Sequence, residues 1–377
     1  MKSIFIFIPW FHPAYKAGGP IQSIANMVEQ FSENISYKIF CSDMDLGGEI
    51  LPVTPDIWIK YNENTEVYYV SKKKQSFNLI QNVVKYSNPD IIFINGIYSW
   101  YFNLVPLLFC KVSRKVVSAR GMLHPGALTQ KKIKKYIYLT LWKILRLNRC
   151  CDFHATNREE KKYIQNTFGK KANVFIAQNF PTILLMQQGL QKKEGTLKLV
   201  SIALISEMKN HLLVLKALMN CDCSINYSIY GPIKDQTYWN SCIEQIKQLP
   251  KNMTVNYHGD IPPHQIEQAL ALSHVFILPS KSENFGHAIY EALSCGKPVI
   301  TSMATPWNNL RSSKAGINVT PENPMELSAA IKYFAAMGND EFTQWTYGAN
   351  KYAEEAINIE DIKEQYRKMF LSNTLSS

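Results

Sequence analysis

Two glutamates in one short segment are the residues best placed to do chemistry in this 377-residue chain. Glu283 and Glu291 lie in Pro279–Ile300, which reads PSKSENFGHAIYEALSCGKPVI. A strand pattern ends at Leu278, and the apolar positions that follow predict a helix that begins at Gly286. The spacing therefore places one carboxylate just before the helix and the other about a turn and a half into it.

The start of that helix is a predicted anion site. Backbone N–H groups lie free at a helix N-terminus, where the helix dipole also favours negative charge. The residues concerned are Asn284, Phe285, Gly286 and His287. Because glycine has no side chain, Gly286 lets a ligand approach the backbone closely. The pattern predicts a diphosphate here, with hydroxyl groups on either side of it that meet the two carboxylates. The alternative is that both glutamates are ordinary exposed surface residues.

Short apolar runs alternate with longer amphipathic stretches, and these elements must position the segment. The runs are apolar on both faces and separated by helical patterns, which is typical of parallel sheets covered on both sides. The first series of predicted strands is Ser3–Ile8, Lys38–Cys41, Val67–Val70, Asp90–Ile94, Val116–Ser118 and Val174–Ala177. The second series is Leu199–Leu204, Ile225–Tyr230, Met253–Tyr257, Val275–Leu278, Val299–Thr301 and Ile317–Val319.

The two series predict an α/β protein with two Rossmann-like domains that face each other across an interdomain cleft. A polar linker, Gln187–Glu194, separates the series. We therefore predict an N-terminal Rossmann-like domain at residues 1–190 and a second such domain at residues 191–350. A C-terminal helical segment at residues 351–377 is expected to cross back to the first domain.

The glutamate segment resembles the E-x7-E signature of the family-four retaining glycosyltransferases (glycosyl transferases group 1), which have the GT-B fold. Other segments resemble motifs of that family in the expected order. They are Pro13–Pro20, Asp90–Gly96, Arg120–Leu123, His154–Asn157 with Glu160, Ile205–Asn210, Tyr230–Pro232 and His258–Asp260. The resemblance covers about residues 1–350. It implies a nucleoside-diphosphate sugar as the donor substrate, bound mainly by the second domain, and no separate cofactor.

The resemblance also implies roles for individual residues. Glu283 would contact hydroxyls of the transferred sugar, Glu291 the ribose hydroxyls, and Lys209 the leaving diphosphate. The amides at the helix start would bind the sugar and the β-phosphate, and the loop 258–261 would lie near the base. From the first domain, Gly18 and Gly19 would close over the phosphates. Cations and fixed N–H donors can offset the leaving-group charge without a metal ion.

One departure from the family pattern concerns the cations. The family usually has an arginine five positions before the lysine that corresponds to Lys209, and this chain has Leu204 there. Arg120, which is also our catalytic candidate in the first domain, Arg311 and Lys314 are the candidate replacements.

A second departure concerns histidine. The family strand end reads D-I-I-H-x-H-G, and this chain has Phe93 and Asn95 at the two histidine positions. His12 and His124 are the candidate replacements in the first domain.

Three segments suggest a metal ion. Asp43-Met44-Asp45 is a D-x-D, as in a manganese-dependent, single-domain (GT-A) transferase, and the alternative is an Asp-rich turn. The pairs Cys221/Cys223 and Cys150/Cys151 can bind a soft metal, and His154 follows one of them, but no second ligand pair completes either set. We therefore predict no metal site. The eight cysteines include no CxxC pair, which favours reduced cytosolic thiols.

The positive charge is concentrated in the first half of the chain. Residues 1–190 have a net charge of +12 and the remainder −1. Within the first half, Lys131–Arg149 reads KKIKKYIYLTLWKILRLNR, with apolar residues at helical spacing among the basic ones. Such a helix can lie on an anionic membrane surface; the alternative is a helix packed on the domain with its lysines exposed. No nucleic-acid recognition motif accompanies the charge, so nucleic acid is not a predicted partner.

The sequence thus predicts a retaining hexosyltransferase that moves a sugar from a nucleoside-diphosphate sugar to a growing surface glycan. The expected acceptor is a lipid-linked or oligosaccharide intermediate of lipopolysaccharide O-antigen or capsule. No apolar run is long enough to span a bilayer, so we expect a cytoplasmic protein, peripheral on the inner face of the membrane. A nucleotide-sugar epimerase of similar fold and a degenerate, non-catalytic glycan-binding subunit are the alternatives. Leu204 and Asn95 favour the second of these.

Overall fold

The computed structural model describes residues 1–129, 132–186 and 190–371. It divides into two compact units. Unit 1 consists of Met1–Phe180 and of the chain from Ile359 onward, and unit 2 is Pro181–Asn358.

The chain enters unit 2 at Pro181, ten residues earlier than the predicted boundary at 190/191. The reason is local bonding: the amide of Leu184 donates to Ser294 Oγ at 3.2 Å, and Cys295 Sγ lies 3.4 Å from the carbonyl oxygen of Leu185. The polar composition of the predicted linker therefore does not mark where the chain changes units. Residues 187–189 of that linker lie outside the described residues.

Unit 1 is built on an eight-stranded sheet. Its strands are β1 (Lys2–Phe7), β2 (Ile35–Ser42), β3 (Trp58–Asn62), β4 (Thr65–Val70), β5 (Ile91–Asn95), β6 (Arg114–Ser118), β7 (Asp152–Ala155) and β8 (Val174–Ile176). The strand order is β3-β4-β2-β1-β5-β6-β7-β8, and only the edge pair β3/β4 is antiparallel. The helices between the strands are α1 (Gly19–Gln30), α2 (Phe77–Ser87), α3 (Val105–Phe109), α4 (Pro125–Thr129), α5 (Lys132–Ile144) and α6 (Arg158–Phe168).

Unit 2 is built on a six-stranded, entirely parallel sheet. Its strands are β9 (Thr196–Ile202), β10 (Ser224–Tyr230), β11 (Met253–Tyr257), β12 (Val275–Leu278), β13 (Val299–Ser302) and β14 (Gly316–Val319). Its helices are α7 (His211–Leu218), α8 (Gln236–Lys247), α9 (Pro263–Ala271), α10 (His287–Ser294), α11 (Pro324–Ala336) and α12 (Asn339–Ala356). Successive residues of β9 enter different cores, Leu199 one and Val200 the other, so both faces of the sheet are covered.

The strand order of unit 2, β11-β10-β9-β12-β13-β14, reverses between β9 and β12. The connections after these two strands leave toward opposite faces of such a sheet, and the crevice at their carboxyl ends is where ligands bind. The loop after β9 contains Lys209 and the loop after β12 contains Glu283. The two loops meet here, since the amide of Lys281 donates to the carbonyl oxygen of Met208 at 2.8 Å.

The C-terminal region is two helices rather than the one stretch that its pattern suggested. α12 packs in unit 2, and after Asn358 a further helix, α13 (Ile359–Phe370), packs on unit 1. There the ring of Tyr366 stacks on Phe180 with centroids 5.1 Å apart, and Phe370 meets Phe93 edge-on at 5.6 Å. Among the described residues, no helix combines the length and apolar composition needed to cross a bilayer.

Candidate functional site

The turn between β12 and α10 requires a glycine. Gly286 precedes α10 with φ +77°, a left-handed conformation that side chains disfavour. A Cβ there would also lie 3.1 Å from Ile289 Cδ1 and 3.3 Å from Trp307 Nε1. Trp307 in turn donates its indole N–H to the carbonyl oxygen of Phe285 at 2.6 Å. The start of α10 is therefore fixed by packing, and residues 284–287 lie half-buried along it.

Glu283 is held by two donors. Its Oε1 accepts from Lys209 Nζ at 2.5 Å and from Ser280 Oγ at 2.7 Å. The side chain of Glu283 is only 10% exposed and that of Lys209 23%. The alternative that Glu283 is an ordinary exposed glutamate is wrong, and the two residues expected on the sugar and on the diphosphate are in direct contact.

A second ion pair crosses the same two loops. Lys281 Nζ lies 2.6 Å from Glu207 Oε1, so each loop supplies one lysine and one glutamate. Neither Glu207 nor Lys281 was among the site residues predicted from the sequence. A signal was present, because Glu207-Met208-Lys209 and Lys281-Ser282-Glu283 have the same spacing and opposite charge order.

Asn210 fixes the loop that contains Lys209. Its backbone is left-handed, with φ 64°, and it precedes the first turn of α7. Its buried side-chain amide donates to the carbonyl oxygens of Pro279 at 3.1 Å and Pro321 at 2.7 Å. Because Pro279 begins the loop after β12, these bonds hold Lys209 at a defined distance from Glu283.

Glu291 is buried within α10, with 6% of its surface exposed. Burial raises its pKa to about 7, and a hydrogen bond from Thr182 acts in the opposite direction. The exposed-surface alternative is therefore wrong for Glu291 as well.

Two aromatic rings stack at the carboxyl ends of β10 and β11. The rings of Tyr230 and His258 are 4.5 Å apart and nearly parallel, at 14°, and His258 is exposed. Gly231, just after β10, has no room for a side chain. A Cβ there would lie 2.0 Å from the carbonyl oxygen of Ala203, just after β9. The stack offers a flat apolar surface beside the crevice.

In unit 1, Arg120 lies just past the end of β6. Its Nε donates to Asn95 Oδ1 at 2.6 Å and its Nη1 to Asn179 Oδ1, while its Nη2 is buried without a hydrogen-bond partner. Burial lowers the pKa of Arg120, and Tyr366 and Glu160 act in the opposite direction. Asn95, at a family histidine position, is therefore an acceptor for the guanidinium.

The glycine loop is also in unit 1. Gly18 has φ 66° with open space around it, and Gly19 is the first residue of α1. Asp45 secures the loop, because its Oδ2 accepts from the amides of Tyr15 at 3.0 Å and Lys16 at 3.2 Å. The second aspartate of the D-x-D thus has a structural role, as in the Asp-rich-turn alternative.

His154 is not free to bind a metal with Cys150 and Cys151. Its Nδ1 bonds Ser118 Oγ at 2.9 Å and its Nε2 the carbonyl oxygen of Ala177 at 2.8 Å. Burial, and then the charge of Arg120, lower its pKa to about 3. Within the described part of the chain, no group of three or more His, Cys, Asp or Glu residues is placed to hold a metal ion.

The other candidate replacements have partners of their own. The Arg311 guanidinium lies 5.2 Å from the centre of the Tyr333 ring, and Lys314 Nζ donates to Gln344 at 2.6 Å. The additional cation found on the loops of the candidate site is Lys281. Of the candidate histidines, His12 has a pKa lowered by burial, and Nδ1 of His124 accepts from the amide of Gly126 at 3.1 Å.

Residues 185–352 match the family described as glycosyl transferases group 1. The chain therefore has a glycosyl transferases group 1 domain. This domain contains the crossed ion pairs, Gly286 and Glu291, so the E-x7-E resemblance is confirmed for that region. The chain is also 28% identical over 102 residues to O-antigen chain mannosyltransferase B from Escherichia coli, a match that covers 27% of this chain and 26% of that relative.

Solved structures share the fold of this chain. Sucrose-phosphate synthase from Thermosynechococcus elongatus aligns with a TM-score of 0.77 at 16% identity, over 98% of this chain and 100% of that one. Anabaena Alr3699/HepE in complex with UDP and glucose aligns with a TM-score of 0.68 at 16% identity, over 98% and 99%. The predicted α/β, GT-B fold class is confirmed.

Proposed function

We propose that this group 1 transferase moves a hexose from a nucleoside-diphosphate sugar to a growing surface glycan, with retention of anomeric configuration and without a metal ion. The observation that supports this most directly is the Lys209–Glu283 contact of 2.5 Å. It lies at the carboxyl-end crevice between β9 and β12, beside the start of α10. There the cation can bind the diphosphate and the carboxylate can bind the sugar. The N–H groups at the helix start can bind the sugar and the β-phosphate.

The leaving diphosphate is stabilised by fixed positive groups. Negative charge grows on it as the glycosidic bond breaks, and preorganised cations and N–H donors lower the energy of that state. Lys209 supplies one cation. Lys281 supplies a second cation. It compensates for the family arginine, whose position is occupied by Leu204 in this chain. The start of α10, with its helix dipole, supplies the N–H donors.

The two glutamates serve different parts of the donor. When a diphosphate takes up the charge of Lys209, Oε1 of Glu283 is released to accept from sugar hydroxyls next to the reacting carbon. Glu291 lies about one turn past the start of α10 and accepts from the ribose hydroxyls. The Tyr230/His258 stack provides a face on which the base can lie. In unit 1, the proposed role of Gly18 and Gly19 is to close over the phosphates. The proposed role of Arg120 is acceptor-side catalysis.

The nature of donor and acceptor is proposed from one structural neighbour and one sequence relative. Alr3699/HepE is a structure in complex with UDP and glucose, which supports a UDP-type hexose donor. The matched E. coli relative is named for an O-antigen chain, which supports a lipid-linked acceptor of lipopolysaccharide or capsule. Such an acceptor places the enzyme in the cytoplasm, peripheral on the inner face of the membrane.

One assay separates this proposal from its rivals. Purified protein is incubated with a nucleoside-diphosphate hexose, with and without a lipid-linked oligosaccharide extract, and nucleoside-diphosphate release is measured together with the product linkage. We expect nucleoside-diphosphate release that depends on the acceptor. We also expect the new glycosidic bond of the product to be α when the donor sugar is α-linked. A changed sugar nucleotide without acceptor indicates an epimerase, and tight donor binding without turnover a binding subunit; either outcome refutes the proposal.

A further inference from the structure

Helix α5 of unit 1 is attached to the protein by one face. Trp142 is 1% and Leu139 8% exposed. The Tyr138 hydroxyl donates to the carbonyl oxygen of Ile97, and Lys135 Nζ donates to the carbonyl oxygen of Ala127 at 2.5 Å. At 100° per residue, these four side chains form one continuous face of the helix.

The opposite face of α5 is apolar and exposed. Its members are Ile133 (75%), Tyr136 (72%), Ile137 (61%), Leu141 (45%) and Ile144 (70%). They follow helical spacing and are centred about half a turn of rotation away from the packed face. We call these five residues the α5 stripe. Isolated exposed apolar residues are normal, but a contiguous row of this kind marks an interaction surface.

The charge around the α5 stripe has one sign. Lys132 and Lys143 flank one edge and Lys134 the other, and all three are exposed. The sequence has no Asp or Glu between Asp90 and Asp152. The predicted alternative of a packed helix with exposed lysines is thus only half correct, because the lysines border an apolar face that is exposed too. Lys131, the first residue of the predicted segment, lies outside the described residues.

We infer that α5 lies in the plane of an anionic bilayer surface, with the α5 stripe inserted and the flanking lysines at the lipid phosphates. An apolar face bordered by lysines fits that boundary, since the side chains enter the acyl region while the ammonium groups stay at the headgroups. A second copy of the chain is a poor occupant. Two such faces brought together would oppose lysine to lysine, with no carboxylate in the segment to compensate.

The position of α5 also fits a lipid-linked acceptor, and this step rests on the proposed function. Its packed face contacts Ile97, in the loop after β5, and Ala127, in helix α4, which follows β6. Asn95 is the last residue of β5, and Arg120, the catalytic candidate of unit 1, lies two residues past β6. Docking α5 would therefore bring the bilayer surface close to the edge of the sheet where the acceptor is expected.

The test is co-sedimentation of the full chain with lipid vesicles. Vesicles of phosphatidylcholine alone are compared with vesicles that also contain phosphatidylglycerol, over a salt series. Binding only to the anionic vesicles, weakened by salt, is expected. Lys132→Gln/Lys134→Gln/Lys143→Gln should lower the partition coefficient on the order of a hundredfold, from about 1 kcal/mol per lysine. Ile133→Ser/Ile137→Ser should lower it at least roughly tenfold through lost apolar burial.

Matched controls remove the same charge or the same side chains elsewhere in unit 1. Lys72→Gln/Lys73→Gln/Lys85→Gln removes three exposed lysines, and Ile50→Ser/Ile57→Ser two exposed isoleucines; both should bind like the parent chain. Equal losses in the controls, equal binding to neutral vesicles, or a dimer that Ile133→Ser/Ile137→Ser dissociates would overturn the inference. Donor turnover with a soluble acceptor is measured separately, so failure to bind lipid is distinguishable from failure to transfer sugar.

Discussion

Lys209 Nζ lies 2.5 Å from Oε1 of Glu283, although the two residues are 74 positions apart in the sequence. The contact joins the loops that follow β9 and β12, at the point where the strand order of unit 2 reverses. Without a donor, the lysine and the carboxylate neutralise each other. In the proposed mechanism a donor diphosphate must therefore compete for Lys209, and that competition would couple donor binding to the release of Glu283.

This contact makes the effects of changing either residue interdependent. Glu283→Gln should lower kcat by about 10- to 100-fold, because a hydrogen bond to a charged group contributes about 1.5–3 kcal/mol and this one strengthens in the transition state. Lys209→Met should lower kcat and raise the donor KM. The activity loss of the double variant should be smaller than the product of the two single losses, because each single substitution already removes the Lys209–Glu283 bond. Steady-state constants decide this, with Glu244→Gln, from an exposed Lys–Glu pair, as the control. Full kcat in Glu283→Gln would contradict the assignment.

Glu291 should act on binding rather than on the chemical step. Its proposed partner, the ribose, is remote from the bond that breaks, so the contact is equal in the ground and transition states. Such uniform binding changes KM and leaves kcat unaltered. Glu291→Gln is expected to raise the donor KM by about tenfold. A fall in kcat with unchanged KM would instead place Glu291 in the transition state.

The same carboxyl group should make stability depend on pH. Its folded-state pKa is raised from 4.5 to about 7, so the folded chain binds more protons than the unfolded chain between these values. The free energy of unfolding should fall as pH rises through that window, by at most on the order of 3 kcal/mol. Glu291→Gln should remove this slope. Thermal unfolding of both proteins across the window checks it: parallel curves would show that Glu291 does not titrate there.

Lys281 should contribute to donor binding more than other exposed lysines do. With Leu204 at the usual arginine position, Lys281→Gln is expected to lower kcat/KM by about tenfold, which corresponds to one charge-assisted contact with a phosphate. Lys247→Gln removes a lysine from a comparable pair with Glu244 and should have no effect. An equal effect of both substitutions would assign the loss to net charge. If Leu204→Arg restores activity to the Lys281→Gln variant, this would further support the view that Lys281 takes the role of the usual arginine at position 204.

Sugar transfer should not require a divalent ion. Lysines and the start of α10 are proposed to offset the leaving-group charge, so chelation with EDTA should leave most of the activity. The measurement is the initial rate after exhaustive chelation, compared with the rate after manganese or magnesium is added back. Loss of activity that manganese restores would show that these groups are not sufficient.

Much of the fold follows from local pattern. All twelve predicted strands overlap observed ones, because residues buried on both faces produce short apolar runs between helical patterns. β3 and β7 were missed. β3 is an antiparallel edge strand whose residues are only partly buried, and β7 has four residues that include Asp152 and His154. Neither has the continuous apolar run that identifies a central parallel strand.

The sequence alone determined the kind of site, and the tertiary structure decided its contacts. Gly286, Glu283 and Glu291 could be assigned to a helix start because their spacing is local. The Lys209–Glu283 and Glu207–Lys281 pairs could not, since they depend on which strands become neighbours in the sheet. Burial, which raises the pKa of Glu291, and the packed face of α5, which leaves its apolar stripe exposed, are also set by distant segments. Interactions within a few residues are encoded in periodicity, whereas those across a sheet exist only once the strand order is formed.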